Sequence, residues 1–170
     1  MTASPWLWPL EKRVPIPARG HPGAFGTMRK HDVHTGVDLY CAEGSRVLAV
    51  EDGYVKFVVP FTGPKAGSPW WHETYAVGVE GASGVVLYGE VFPRGWHNMM
   101  RPGMTMKRGD SPGYVMRVLK EDKGRPTSML HLELYLPWVE EPVWWDLHAY
   151  QPPPLLDPTR HLLRAERLIK

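Results

Sequence analysis

Cysteine is nearly absent: Cys41 stands alone in 170 residues, so no internal disulfide forms, and any staple of the fold comes from its core or from a metal. Cys41 itself reads either as a ligand beside the HTGVDLY stretch or as a small buried apolar side chain on a strand. Long apolar runs are missing too, and no segment approaches the ~18 consecutive apolar residues of a membrane span. The opening MTASPWLWPLEKR lacks a charged region followed by an apolar run, so no secretory signal is expected. The protein is then expected in the cytoplasm until released, and if it acts outside, something other than its own signal carries it there. Charge of one sign is not in excess: 20 Lys and Arg face 18 Asp and Glu, for a net charge of +2. With no basic stripe and no acidic tail, composition favours neither nucleic acid nor an electrostatically bound membrane surface as partner.

Helical periodicity over three turns is also missing until the last dozen residues, while 18 prolines and 17 glycines divide the chain finely. An all-β class is expected, in one compact domain with modest extensions. Residues 1–19 form a proline-rich N-terminal arm (Pro5, Pro9, Pro15, Pro17), extended and anchored by Trp6 and Trp8. Residues 20–140 carry the β domain. Residues 141–170 form a C-terminal extension ending in a short helix, with Asp157 as N-cap, Pro158 at N1 and Leu162, Leu163, Ala165, Leu168 and Ile169 on its apolar side. Eight tryptophans are many for a core of this size; they line a groove or cap the open ends of the sheets.

Turn signals place the strands. Gly44-Ser45 and Asp52-Gly53 punctuate CAEGSRVLAVEDGYVKFVV as a meander, and TYAVGVEGASGVVLYGEVF reads as two strands joined at Gly81 to Gly84. On the second of these, strict alternation puts Tyr88 and Glu90 on one face and Leu87, Gly89 and Val91 on the other. Pro60 to Glu73 has too many breakers for a strand and reads as a long surface loop, with Trp70, Trp71 and His72 as one wall of a groove. The loop from Pro93 to Gly103 supplies Trp96 and His97 as the other. The cleanest period-2 pattern lies at 129–136, where Leu130, Leu132, Leu134 and Leu136 face the core and Met129, His131, Glu133 and Tyr135 face a cavity or solvent.

His34 and Asp38 are four residues apart. Two ligands of one zinc place their donor atoms no more than ~4 Å apart, whereas four residues of straight strand span ~13 Å. Both bind one ion only if the chain bends between them, which Gly36 permits. His131, on the non-leucine face of the best strand, is the natural third donor, and two histidines with one aspartate make the usual set of a catalytic zinc site. Glu133 reads as a carboxylate behind the ligands or at the surface, not as a ligand.

These segments resemble the LytM/lysostaphin-type zinc endopeptidases, whose fold is a duplicated hybrid motif of antiparallel sheets forming a groove. GAFGTMRKHDVHTGVDLYCAEGSRVLAVEDGYV carries an FG loop, HxGxD and a VxAxxxGxV-like meander. VVLYGEV stands where that family has a YxHL element, MKRGDSPGYV where it has a glycine-rich turn, TSMLHLELY where it has a TGxHLHFE-like strand, and LLDPTRHL resembles its closing DPxxxL. The resemblance implies Zn2+ as cofactor, His34, Asp38 and His131 as its ligands, and a peptidoglycan cross-link or related peptide as substrate. It also places the family's two further histidines on Glu90 and Met129, both replaced here. Glu90 is then either a general base in place of a histidine, with His72 or His97 as electrophile, or the remnant of a site that binds metal without turnover. In the second case the protein is a structural or wall-binding component of a larger assembly, such as a phage virion.

Overall fold

The computed structural model describes residues 5–169; residues 1–4 of the expected arm lie outside them. Among the described residues eight strands form one connected sheet in the order β1-β7-β4-β3-β2-β5, with β6 branching from β4 and β8 from β7. Every pairing among them is antiparallel. The elements are β1 (Val37–Tyr40), β2 (Gly53–Thr62), β3 (Thr74–Gly81), β4 (Gly84–Phe92), β5 (Thr105–Met106), β6 (Tyr114–Val115), β7 (Met129–Tyr135), β8 (Leu155–Leu156) and the helix α1 (Thr159–Arg167). The all-β class and the short terminal helix are as expected.

Apolar side chains are buried on both faces of this sheet, for a reason visible in the strand pattern. Leu130, Leu132 and Leu134 of β7 join Val37 and Leu39 of β1, Val86 and Tyr88 of β4 and Val77 and Val79 of β3 in the main core. Trp6, Trp8 and Leu10 of the N-terminal segment, with Leu162 and Ala165 of α1, complete that core. Burying an indole or leucine side chain there contributes on the order of 2–3 kcal/mol each. The opposite face carries a smaller cluster of Phe57, Ala76, Val85, Leu87, Tyr135, Val139 and Leu155, against which Phe25, Phe61 and Trp145 pack. The segment after β7 folds back over this second face, Trp145 meeting Phe25 at 5.7 Å between ring centroids.

Two expectations are corrected. The stretch from Cys41 to Asp52 is not a meander of strands: it makes only isolated bridges, Leu10 to Val47 and Arg46 to Tyr114, although Val47, Ala49 and Val50 are fully buried. Its β-branched residues serve the core without a ladder partner. The strand β2 runs on through Pro60 and Phe61 to Thr62, where a loop was expected. β2 pairs with β5 only at Gly53 and Tyr54, so beyond them it is an edge strand and a proline without an N–H costs the ladder nothing on that side. Of the two alternatives for the non-leucine face of β7, cavity or solvent, His131 and Glu133 take the interior one, at 5% and 1% exposed.

At the helix start Asp157 Oδ1 accepts the Thr159 N–H at 2.9 Å, and Pro158 already has helical torsions. The turn joining β3 to β4 falls at Ala82 and Ser83, with Gly81 paired to Gly84.

A candidate metal centre on the second face

β1 and β7 place the site. Asp38 lies directly opposite His131, and alternation puts Tyr40 and its partner Met129 on the same face two residues further on. His34 reaches them from the segment before β1, the chain bending at Gly36. That glycine has a second job the spacing does not reveal: a Cβ there would lie 2.5 Å from the Leu132 carbonyl oxygen and 2.8 Å from His131 Nε2. Gly36→Ala should therefore push β1 off β7 and lower stability by about 2 kcal/mol, read from denaturant midpoints. An unchanged midpoint would mean that the two strands are not in this close approach.

His34, Asp38 and His131 are all buried, and each offers a donor atom within 4.8 Å of the other two. His34 Nε2 lies 3.1 Å from His131 Nδ1 and 3.2 Å from Asp38 Oδ1, and His131 Nδ1 lies 2.8 Å from Asp38 Oδ1. Donors each ~2 Å from a tetrahedral zinc would be about 3.3 Å apart, so the set suits that ion.

The atoms behind the donors fix them. The Ala24 carbonyl, 3.0 Å from His34 Nδ1, can only accept, so the hydrogen sits on Nδ1 and Nε2 turns a lone pair toward the site. The other nitrogen of His131, Nε2, donates to Glu133 Oε1 at 2.9 Å. Glu133 is held in turn by the hydroxyls of Thr35 and Tyr135. Arg29 donates to Asp38 Oδ2 at 2.9 Å, which leaves Oδ1 as the oxygen facing the two histidines. The Phe61 ring covers His131 at 5.2 Å, in the space that the missing side chain of Gly89 leaves open.

The charges follow this arrangement. Burial works against a charged His131 ring, but its hydrogen bonds to Asp38 and Glu133 outweigh that and hold it up at about 10. Burial alone would raise the Asp38 carboxyl; the hydrogen bond from His131 and the charge of that ring hold it well below the usual carboxylate range. His34 is lowered, chiefly by burial. A divalent ion entering the site thus replaces a proton on His131.

Glu90 does not sit where strict alternation puts it. Tyr75 pairs with Val91 and Val77 with Tyr88, so two steps along β3 match three along β4. The extra residue makes a bulge, and Glu90 takes φ +63°, in the left-handed region. Tyr88 and Val91 consequently share the core face, and Glu90 is turned away from it, beside Gly89, the partner of His131. Its Oε2 is buried without a hydrogen-bond partner among the described residues. Burial first, and the Asp38 charge second, push its carboxyl up to about 8.

The other sequence-predicted residues lie around this centre in different ways. Met129 is half-buried beside Tyr40. Trp70 and Trp71 meet edge-on at 6.0 Å, and the backbone N–H of His72 donates to Val118 O, so that loop is tied to the segment following β6. Trp96 lies under the Arg46 guanidinium at 4.2 Å, and His97 is exposed on the same loop. Cys41 is half-buried against the main core and is not part of the donor set. Sequence reasoning missed Arg29 and Phe61 altogether. Nothing in the spacing of either points to Asp38 or His131, since both contacts form only when separate segments meet.

No protein-family model and no curated protein matches the sequence. Among solved structures, Helicobacter pylori Csd3 in a hexagonal crystal matches with a TM-score of 0.46 and 21% identity over 95% of this chain and 38% of that one. The same protein in an orthorhombic crystal matches with a TM-score of 0.46 and 20% identity, over 95% of this chain and 40% of that one. The chain thus spans about two fifths of the length of those proteins.

Proposed function

We propose that this protein is a zinc-dependent peptidase that hydrolyses a peptide bond in peptidoglycan cross-links or a related peptide, with Glu90 as general base. The observation that carries this reading is a buried two-histidine, one-aspartate donor set beside a carboxylate whose Oε2 has no partner among the described residues. A zinc ion held by His34, Asp38 and His131 would supply Lewis acidity, polarising a carbonyl and making a water acidic near neutral pH.

Glu90 takes a proton from the attacking water as the water oxygen bonds to the carbonyl carbon. It returns that proton to the departing nitrogen as the C–N bond breaks, so no net proton is consumed on the enzyme. Arg29 and Glu133 keep Asp38 and His131 oriented throughout, and Phe61 shields His131 from water on one side. The choice of peptidoglycan is supported by the resemblance of HTGVDLY, VVLYGEV and TSMLHLELY to the LytM/lysostaphin-type segments.

One observation favours a second reading, a metal-binding but inactive component of a larger assembly such as a phage virion. Met129 stands where the resemblance places a histidine, and a thioether neither shuttles a proton nor stabilises an oxyanion. Zinc-loaded protein incubated with purified muropeptides separates the two. New amino termini detected by mass spectrometry support the peptidase, whereas one zinc per chain with every wall preparation left intact supports the assembly component.

A further inference from the structure

With a methionine at position 129, the proposed reaction needs another group to stabilise the negative charge that develops on the substrate carbonyl oxygen. The sequence offers His72 and His97, but both are exposed, and the contacts of their loops run to Val118 and to Arg46. A third donor is already on the ligand face. Tyr40 is the direct cross-strand partner of Met129 and lies two residues from Asp38 along β1, so its side chain projects on the side where Asp38 and His131 meet.

The phenol is seated, not free. Its ring lies on the α-carbon of Gly23, where a Cβ would come within 2.7 Å of the hydroxyl oxygen and 3.1 Å of the ring. The His21 imidazole meets it edge-on at 5.8 Å. The same loop is fastened to the site by the Asp38 N–H, which donates to Gly23 O at 2.8 Å. The hydrogen bonds that orient the three ligands use Ala24, Arg29 and Glu133 and leave the Tyr40 hydroxyl out. Among the described residues no hydrogen bond engages that hydroxyl, so its hydrogen is available to a ligand.

We infer that Tyr40 is a catalytic residue, the hydrogen-bond donor to the oxyanion formed from the substrate carbonyl, taking the part left open by Met129. The inference rests on the peptidase reading above. An oxyanion donor acts on the transition state and not on the bound substrate, so its loss falls on kcat.

Tyr40→Phe keeps the ring on Gly23 and removes only the hydroxyl. The expected result is a fall in kcat of about 100-fold with KM, zinc content and thermal midpoint unchanged. A phosphinic peptide, whose tetrahedral phosphorus bears the corresponding oxygen, should bind the variant weaker by about the same factor. Binding of the phosphinate needs no turnover, so the two failures are distinguishable. A wild-type protein that cleaves no muropeptide ends the peptidase reading, whereas equal phosphinate affinity in wild type and Tyr40→Phe ends the assignment of Tyr40.

Discussion

Glu90→Gln is expected to slow muropeptide cleavage by about 10²–10⁴-fold while making the metal-free protein more stable at pH 8. The two effects have one cause. In the metal-free site Glu90 is held at about 8 against an ordinary value of 4.5, by burial and then by the Asp38 charge. Between these values the folded chain keeps a proton that the unfolded chain has released, so its stability is fully present below pH 4.5 and declines as pH rises toward 8. Glutamine has nothing to ionise and removes that decline. A divalent ion on His34, Asp38 and His131 acts in the opposite direction, favouring the carboxylate that a base requires. The measurement is a pair of denaturant titrations in chelator at pH 5 and pH 8, beside kcat for the zinc-loaded forms. Equal pH slopes for wild type and variant would show that Glu90 is solvated, and undiminished cleavage by the variant would remove it from the mechanism.

His131→Ala should abolish stoichiometric zinc binding and lower the stability of the metal-free protein by about 3 kcal/mol. The ring bridges two buried carboxylates, 2.8 Å from Asp38 and 2.9 Å from Glu133. Removing it leaves both charges in the interior without the cation between them. Arg29 still neutralises Asp38, and the hydroxyls of Thr35 and Tyr135 still bind Glu133, which keeps the loss at the lower end for a broken buried pair. Metal content by elemental analysis and unfolding in denaturant test the two halves independently. Zinc retained at one per chain in the variant would mean that the ligands have been misassigned. In wild type, saturating zinc should raise the unfolding midpoint and chelation reverse it, since the ion binds only the folded arrangement.

Much of the fold was legible because its signals are local. Alternating leucines at 130, 132, 134 and 136 announce a strand with one core face; the first three are buried as that pattern requires, and Leu136, just past the end of β7, is half-buried. Gly81 and Gly84 announce a tight connection, and they close one. The misreadings share a different property. Pro60 breaks a strand only where its missing N–H has a partner to lose, and whether β2 is an edge at that point depends on where β5 stops. Val47, Ala49 and Val50 look like strand residues because burial selects the same side chains, whether or not a ladder is formed.

For the candidate site, the residue types and their order are properties of the sequence: His34 and Asp38 flanking a glycine, His131 on the polar side of a leucine strand, and a glutamate and a methionine at 90 and 129. Their juxtaposition is not. The pairing of β1 with β7 sets Asp38 against His131, and Arg29 and Phe61 meet them from segments far apart in the chain. The bulge at Glu90 is the sharpest case. Period-2 alternation puts that side chain with Tyr88 in the core, and only the mismatch of one residue between β3 and β4 turns it away. Side-chain direction along a strand is a local property until a neighbouring strand holds a different number of residues, and from there on tertiary pairing decides it.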